Sequence, residues 1–190
     1  ASGQQDLNGD GDAQDTLLAA FDPAQGWAEV FAVHSTCQDD ILDDPHVQGQ
    51  HALACSNEAA AGQDLNGDGD LLDRVAQGVD LTTGALRPSG MAMSQTSLGQ
   101  RMIGSVAFFV ASEADQQADL DGDGDQSDVV VHRLDAATGA STGTGLRTFF
   151  QGSNPRWMAG SHELFARIIE GHQDFNGDGD KLDTVLFALR

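Results

Sequence analysis

Asp64-Leu-Asn-Gly-Asp-Gly-Asp70, followed by Asp73, is the stretch that decides how this chain folds. Carboxylates or an amide at every second place, with glycines between them, suit neither a helix nor a strand. They suit a tight loop whose polar side chains turn inward, the glycines supplying the positive φ angles such a path needs. The same stretch occurs four times. The other copies are Asp6-Leu-Asn-Gly-Asp-Gly-Asp12 then Asp15, Asp119-Leu-Asp-Gly-Asp-Gly-Asp125 then Asp128, and Asp174-Phe-Asn-Gly-Asp-Gly-Asp180 then Asp183. Successive copies start 58, 55 and 55 residues apart. A period of this size marks a repeat architecture. The 190 residues therefore read as a single repeat domain, with units at about 6–63, 64–118 and 119–173 and a partial fourth at 174–190.

Outward from each loop the pattern becomes apolar. Thr16–Phe21, Val75–Val79, Val129–Leu134 and Thr184–Leu189 follow the four loops, and runs 51–58, 106–113 and 163–170 precede three of them, each ending in Glu. Five to eight residues rich in Val, Ile and Phe favour strands over helices. Each loop then sits at the tip of a β-hairpin. Asp22-Pro-Ala-Gln-Gly26, Asp80-Leu-Thr-Thr-Gly84 and Asp135-Ala-Ala-Thr-Gly139 read as tight turns, Asp opening and Gly closing them. Third strands are expected at 27–34, 84–93 and 145–150. The fold class is all-β, built of antiparallel hairpin repeats resembling β-propeller blades, as a closed ring or an open array. The strand that should enter loop one is missing from the sequence, as five residues precede Asp6.

Composition narrows the function. Thirty acidic residues against nine Lys and Arg give a formal charge of -21, which opposes compaction unless cations neutralise it. With no basic patch to meet phosphates, nucleic acid is excluded as a partner, and attraction to an anionic membrane fails for the same reason. No apolar run approaches the roughly 20 residues that span a bilayer, so membrane insertion is not expected. Cys37 and Cys55, with 17 residues between them, suit one loop-closing disulfide in an oxidising compartment, against the alternative of two buried thiols. Zinc ligands normally sit two to four residues apart, which this pair does not. The start at Ala1-Ser2-Gly3 fits a mature secreted product or a trimmed chain.

Seventeen of the thirty acidic residues lie in the four loops. Carboxylates packed this densely repel one another without a cation. Calcium, which takes six to eight hard oxygen ligands in a flexible shell, suits them better than magnesium with its strict octahedron. The expected metal ligands are Asp6, Asn8, Asp10, Asp12 and Asp15; Asp64, Asn66, Asp68, Asp70 and Asp73; Asp119, Asp121, Asp123, Asp125 and Asp128; and Asp174, Asn176, Asp178, Asp180 and Asp183. About four calcium ions would bring the charge from -21 to -13. Glu58, Glu113 and Glu170 recur 6, 6 and 4 residues before the next loop Asp. They are candidates for an extra calcium oxygen or for pairing with a neighbouring charge.

The loops resemble the Asp-x-Asn/Asp-x-Asp-Gly calcium loops of EF-hands, dockerins and integrin-type (FG-GAP) propeller blades. They also resemble the Asp-Leu-Asn-Gly-Asp-Gly-Asp hairpins of bacterial secreted repeat proteins, a likeness that covers most of the chain. The resemblance implies side-chain ligands at positions one, three and five and a backbone carbonyl at position seven. Two departures leave the closing ligand open. Position twelve, a bidentate Glu in EF-hands, is Leu17, Val75, Val130 and Val185. The closing Asp sits at position ten rather than nine, and the position-seven side chain competes for the role.

Other features carry less. The six histidines show no metal spacing and read as surface or sheet residues; Trp27 and Trp157 read as packing residues; Asp40, Asp43 and Asp44 form an acidic insertion between the cysteines. The carboxylates repeat identically from loop to loop, no Gly-x-Ser-x-Gly elbow or phosphate-binding Gly-Lys-Ser/Thr loop is present, and a metal-dependent hydrolase is disfavoured, so the chain is not expected to be an enzyme. The expectation is an extracellular calcium-binding structural repeat protein. Its partners would be calcium and further copies of itself, joined into a fibre by strand addition. The alternative is a propeller-like adhesion module that binds a glycan or a protein.

Overall fold

The computed structural model describes residues 6, 17–22, 27–34, 46–94, 100–147, 158–159, 164–170 and 173–189. Among these residues four antiparallel sheets follow one another along the chain. β1 (Leu17–Asp22) and β2 (Trp27–His34) form a hairpin. β3 (His46–Gln48), β4 (His51–Asn57), β5 (Arg74–Asp80) and β6 (Leu86–Ala92) form a four-stranded meander. β7 (Arg101–Ile103), β8 (Val106–Ser112), β9 (Val129–Asp135) and β10 (Ser141–Arg147) repeat it. β11 (Met158–Ala159), β12 (Leu164–Ile169) and β13 (Thr184–Leu189) form a three-stranded sheet. The chain is thus all-β with antiparallel hairpin repeats, and among the described residues no sheet closes on itself.

Loops two and three each join the two inner strands of a four-stranded sheet, β4 to β5 and β8 to β9, and loop four joins β12 to β13, which is an edge strand among the described residues. Each sheet therefore draws on the end of one sequence period and the start of the next. At the opposite end of the inner strands the Asp–Gly turns form as their composition requires. Asp80 Oδ1 accepts the Thr82 and Thr83 N–H, and the Gly84 N–H donates to the Asp80 carbonyl at 2.8 Å. Asp135 does the same for Ala137, Thr138 and Gly139.

The inner strands are buried along nearly their whole length, not at alternate residues. An antiparallel strand with both faces covered must have a neighbour on each side of its sheet. Phe108 and Phe109 show how this works. Adjacent residues on a strand point to opposite faces, and each Phe fills a different core. Phe109 packs with Leu53, Ala76, Met93, Met102 and Leu134, between the two four-stranded sheets. Phe108 packs with Val131, Leu146, Ile168 and Leu189, toward the last sheet. His132 on β9 is buried with its ring centroid 5.9 Å from that of Phe109, and burial pushes its imidazole down to about 4, so it is neutral at pH 7.

The two four-stranded sheets approach closely at a glycine. A Cβ on Gly78 would lie 2.6 Å from the Ala136 Cα, a backbone atom that cannot rotate away. Gly78→Ala is therefore expected to force β5 away from the 135–139 turn and to cost about 1–3 kcal/mol, the usual penalty of overpacking. Chemical denaturation checks this; an unchanged midpoint would mean the sheets slide apart freely.

Two details differ from the sequence expectation. The third strand expected at 145–150 starts earlier, as β10 at Ser141, because the Gly139 turn returns the chain directly alongside β9. The Ser-Thr-Gly-Thr stretch at 141–144 looks like loop because of its composition, yet backbone pairing to Leu134, Arg133 and His132 holds it as strand. The outer strands β3, β7 and β11 were not anticipated, since two or three residues carry no readable period. Of loop one only Asp6 is described; Asn8, Asp10, Asp12 and Asp15 lie outside the described residues, as do Cys37, Asp40, Asp43, Asp44 and Trp157. Cys55, buried on β4, is disulfide-bonded.

Candidate metal centre

Each described loop winds around its own side chains. In loop two, Asp64 accepts the Gly67 N–H on Oδ1 (2.6 Å) and the Gly69 N–H on Oδ2 (3.1 Å). Asn66, Asp68 and Asp70 each accept the N–H two residues on, from Asp68, Asp70 and Leu72. Loop three repeats this with Asp119, Asp121, Asp123 and Asp125, and loop four with Asp174, Asn176, Asp178 and Asp180. The path requires φ of +83° and +100° at Gly67 and Gly69, values that side-chain-bearing residues rarely adopt. Local spacing alone accounts for this geometry, which is why it recurs three times.

The neck of each loop is built by a residue outside it. Glu58, Glu113 and Glu170 are buried, with exposures of 0, 0 and 2%. Their backbone N–H groups donate to the carbonyls of Asp73, Asp128 and Asp183, closing the hairpin at the position-ten Asp. Glu58 Oε1 accepts the Leu65 and Asn66 N–H at 2.6 and 3.1 Å, and its Oε2 accepts the Asp73 N–H at 3.2 Å. Glu113 accepts from Leu120 and Asp128, and Glu170 from Phe175 and Asn176. The carboxylates thus serve as anchors for loop amides.

The unequal spacing of these glutamates is absorbed locally. After Glu58 and Glu113 the chain makes one helical turn, α1 (Glu58–Ala61) and α2 (Glu113–Gln116), capped by Asn57 and Ser112, whose side chains accept the Ala60 and Asp115 N–H. Loop four has two residues fewer between Glu170 and Asp174, and still presents Phe175 and Asn176 to its glutamate.

The anchors stand among the loop carboxylates. One oxygen each from Glu58, Asp70 and Asp73 lies within 4.8 Å of the others; the same holds for Glu170, Asp180 and Asp183. In loop three, the sets are Glu113, Asp125 and Asp128; Glu113, Asp119 and Asp121; and Asp121, Asp123 and Asp128. Several acidic groups are therefore placed where one metal ion can reach them. In each of the three described loops, one cluster joins both candidates for the closing position, seven and ten, with the glutamate.

Burial without a cation is costly to these groups. Asp73 is pushed up to about 7, chiefly by burial, with Asp68, Asp115 and Asp70 adding repulsion against the stabilising donation from Asn66. Asp128 also moves up, again chiefly through burial, although Arg147 opposes it. The sign follows from linkage. A carboxyl whose folded value exceeds its unfolded 3.8 stabilises the fold below that value and loses its contribution as pH rises to about 7. In chelator, Asp73→Asn is expected to melt above the parent at pH 8, with the gap closing toward pH 4. With a cation held in the loop the order is expected to reverse. Melting curves at both pH values test this, and parallel curves would refute the strained carboxylate.

The next repeat reaches back to loop two. Gln117 Nε2 donates to Asp68 Oδ2 and Asp70 Oδ2, both at 3.0 Å, and Gln116 Nε2 donates to the Asn66 carbonyl. Gln116 Oε1 also accepts the Ala92 N–H at 2.8 Å. Loop two is thereby tied to α2. No family model, curated protein or solved structure matches the chain.

Proposed function

We propose that this is an extracellular structural repeat protein whose aspartate loops hold calcium and become rigid hairpin tips. The observation that carries the proposal is Glu170. Among the described residues its Oε2 is buried without a hydrogen-bond partner, and the residue shares a cluster with Asp180 and Asp183. An unsatisfied buried carboxylate oxygen is expensive, and a cation between the three side chains removes the cost. An all-oxygen donor set on a glycine-rich loop favours calcium over softer-ligand metals and over magnesium. The disulfide at Cys55 supports an oxidising compartment.

The carboxylates serve the same backbone positions in each described repeat, which supports a structural role over a catalytic one. Assembly into a fibre is part of the proposal. Among the described residues β13 is hydrogen-bonded along one side only, and Leu186 on it is 58% exposed. An open edge of this kind can accept a strand from a second copy.

Equilibrium dialysis against calcium, with sedimentation of the same samples, tests both parts. The proposal expects several ions per chain and calcium-dependent growth in mass. No bound ion would overturn the calcium reading. A monomer at high protein concentration with calcium present would remove the fibre and leave the ion sites.

A further inference from the structure

Loop three differs from loops two and four in what fills it. Arg147, at the end of β10, is 9% exposed and projects its guanidinium into the loop. Its Nε and Nη2 hold the two oxygens of Asp121, Nη2 also lies 2.7 Å from Asp123 Oδ2, and Nη1 lies 2.7 Å from Asp128 Oδ2. Asp121, Asp123 and Asp128 form one of the clusters that could surround a metal. In loops two and four a neutral group takes the equivalent place. Asn66 Nδ2 donates to Asp73 Oδ2 at 3.1 Å, and Asn176 Nδ2 to Asp183 Oδ2 at 2.9 Å.

The register shows that the arginine is built in. Position twelve of each loop starts the outgoing strand, and on the next strand Val130 faces Arg147 while Val75 faces Ala92. Arg147 and Ala92 are therefore equivalent residues of two repeats. Position three changes with them: Asp121 accompanies Arg147, and Asn66 accompanies Ala92. A bulge aims the side chain. Thr144 Oγ1 donates to the Val131 carbonyl at 2.7 Å and accepts the Leu146 N–H, while Gly145 takes a φ of +70°. Leu146 then enters the core beside Phe108 and Ile168, and Arg147 turns to the loop. The cleft that Arg147, Asp121 and Asp123 line toward Phe175 measures about 330 Å3 and is open. An ion can reach the loop, so exclusion is electrostatic: a fixed guanidinium already compensates three carboxylates.

We propose that Arg147 is the resident cation of loop three, so that this repeat closes without calcium and the chain takes up three ions through its four loops. The inference rests on the calcium reading of the other loops. It makes the third repeat the part of the chain that stays ordered when calcium is withdrawn.

The test is the double substitution Asp121→Asn with Arg147→Ala, which gives repeat three the residues of repeat two. Equilibrium dialysis with saturating calcium is expected to give three ions on the parent and four on the double variant. In chelator, Arg147→Ala alone is expected to lower the melting temperature by at least about 3 °C, and calcium is expected to restore it. Four ions on the parent, or no gain in the double variant, would overturn the inference and leave the calcium reading intact. No ion on either protein would overturn both.

Discussion

Excess chelator is expected to lower the melting temperature of this protein by about 15–30 °C. A ligand that binds only the native state stabilises it by about 2.7 kcal/mol per site at a concentration 100 times its dissociation constant. Three such sites give about 8 kcal/mol. For a chain of this size each kcal/mol moves the midpoint by roughly 2–4 °C. The structural basis is direct. Without an ion the native state holds Asp73 against its own burial and leaves Glu170 Oε2 without a hydrogen-bond partner among the described residues. The unfolded chain disperses the same carboxylates into water. Calorimetry with calcium and with chelator measures the shift. A change below about 3 °C would leave the acidic loops as solvated turns.

Replacing Glu58 is expected to have the next largest effect, and it should appear even without calcium. Its carboxylate accepts three backbone N–H groups, from Leu65, Asn66 and Asp73, at full burial. Hydrogen bonds to a charged group contribute about 1.5–3 kcal/mol each. Burying the charge offsets part of that sum. Glu58→Gln keeps the shape but turns one acceptor into an amide donor facing an N–H. A loss of about 3 kcal/mol is expected from denaturation in chelator, with the slope unchanged. A loss under about 1 kcal/mol would show that the loop neck holds without its anchor. Because chelator removes the ion, the result separates the glutamate's role as anchor from any role as ligand.

The anchor also shows where sequence reasoning ran short. Glu58, Glu113 and Glu170 are visible as recurring acids, but their spacing of 6, 6 and 4 hides their equivalence. The helical turns after Glu58 and Glu113 take up the two extra residues. The signal that could have found them is the apolar run: an acid ending a buried strand needs several donors, and the nearest donors are the amides of the next loop. Arg147 left no such signal. It lies 26 residues from Asp121, and the only local hint was an Asp where the other loops have Asn.

The sequence by itself determined the repeat, the loops, the Asp–Gly turns and the antiparallel hairpins. All of these depend on interactions over a few residues: an Asp accepting the N–H two places on, a glycine entering positive φ, an apolar run of strand length. The tertiary structure alone decided which faces are covered, as with Phe108 and Phe109 entering different cores, and how close two sheets approach at Gly78. It alone set the residue opposite each position twelve, Ala92 in one repeat and Arg147 in another. Strand register is a long-range quantity, set by the packing of whole sheets and by a bulge that recurs at Gly90 and Gly145. No local pattern shows that Ala92 and Arg147 occupy the same place, so none reveals that one loop is closed by its own Asn66 amide and the next by a guanidinium from the neighbouring strand.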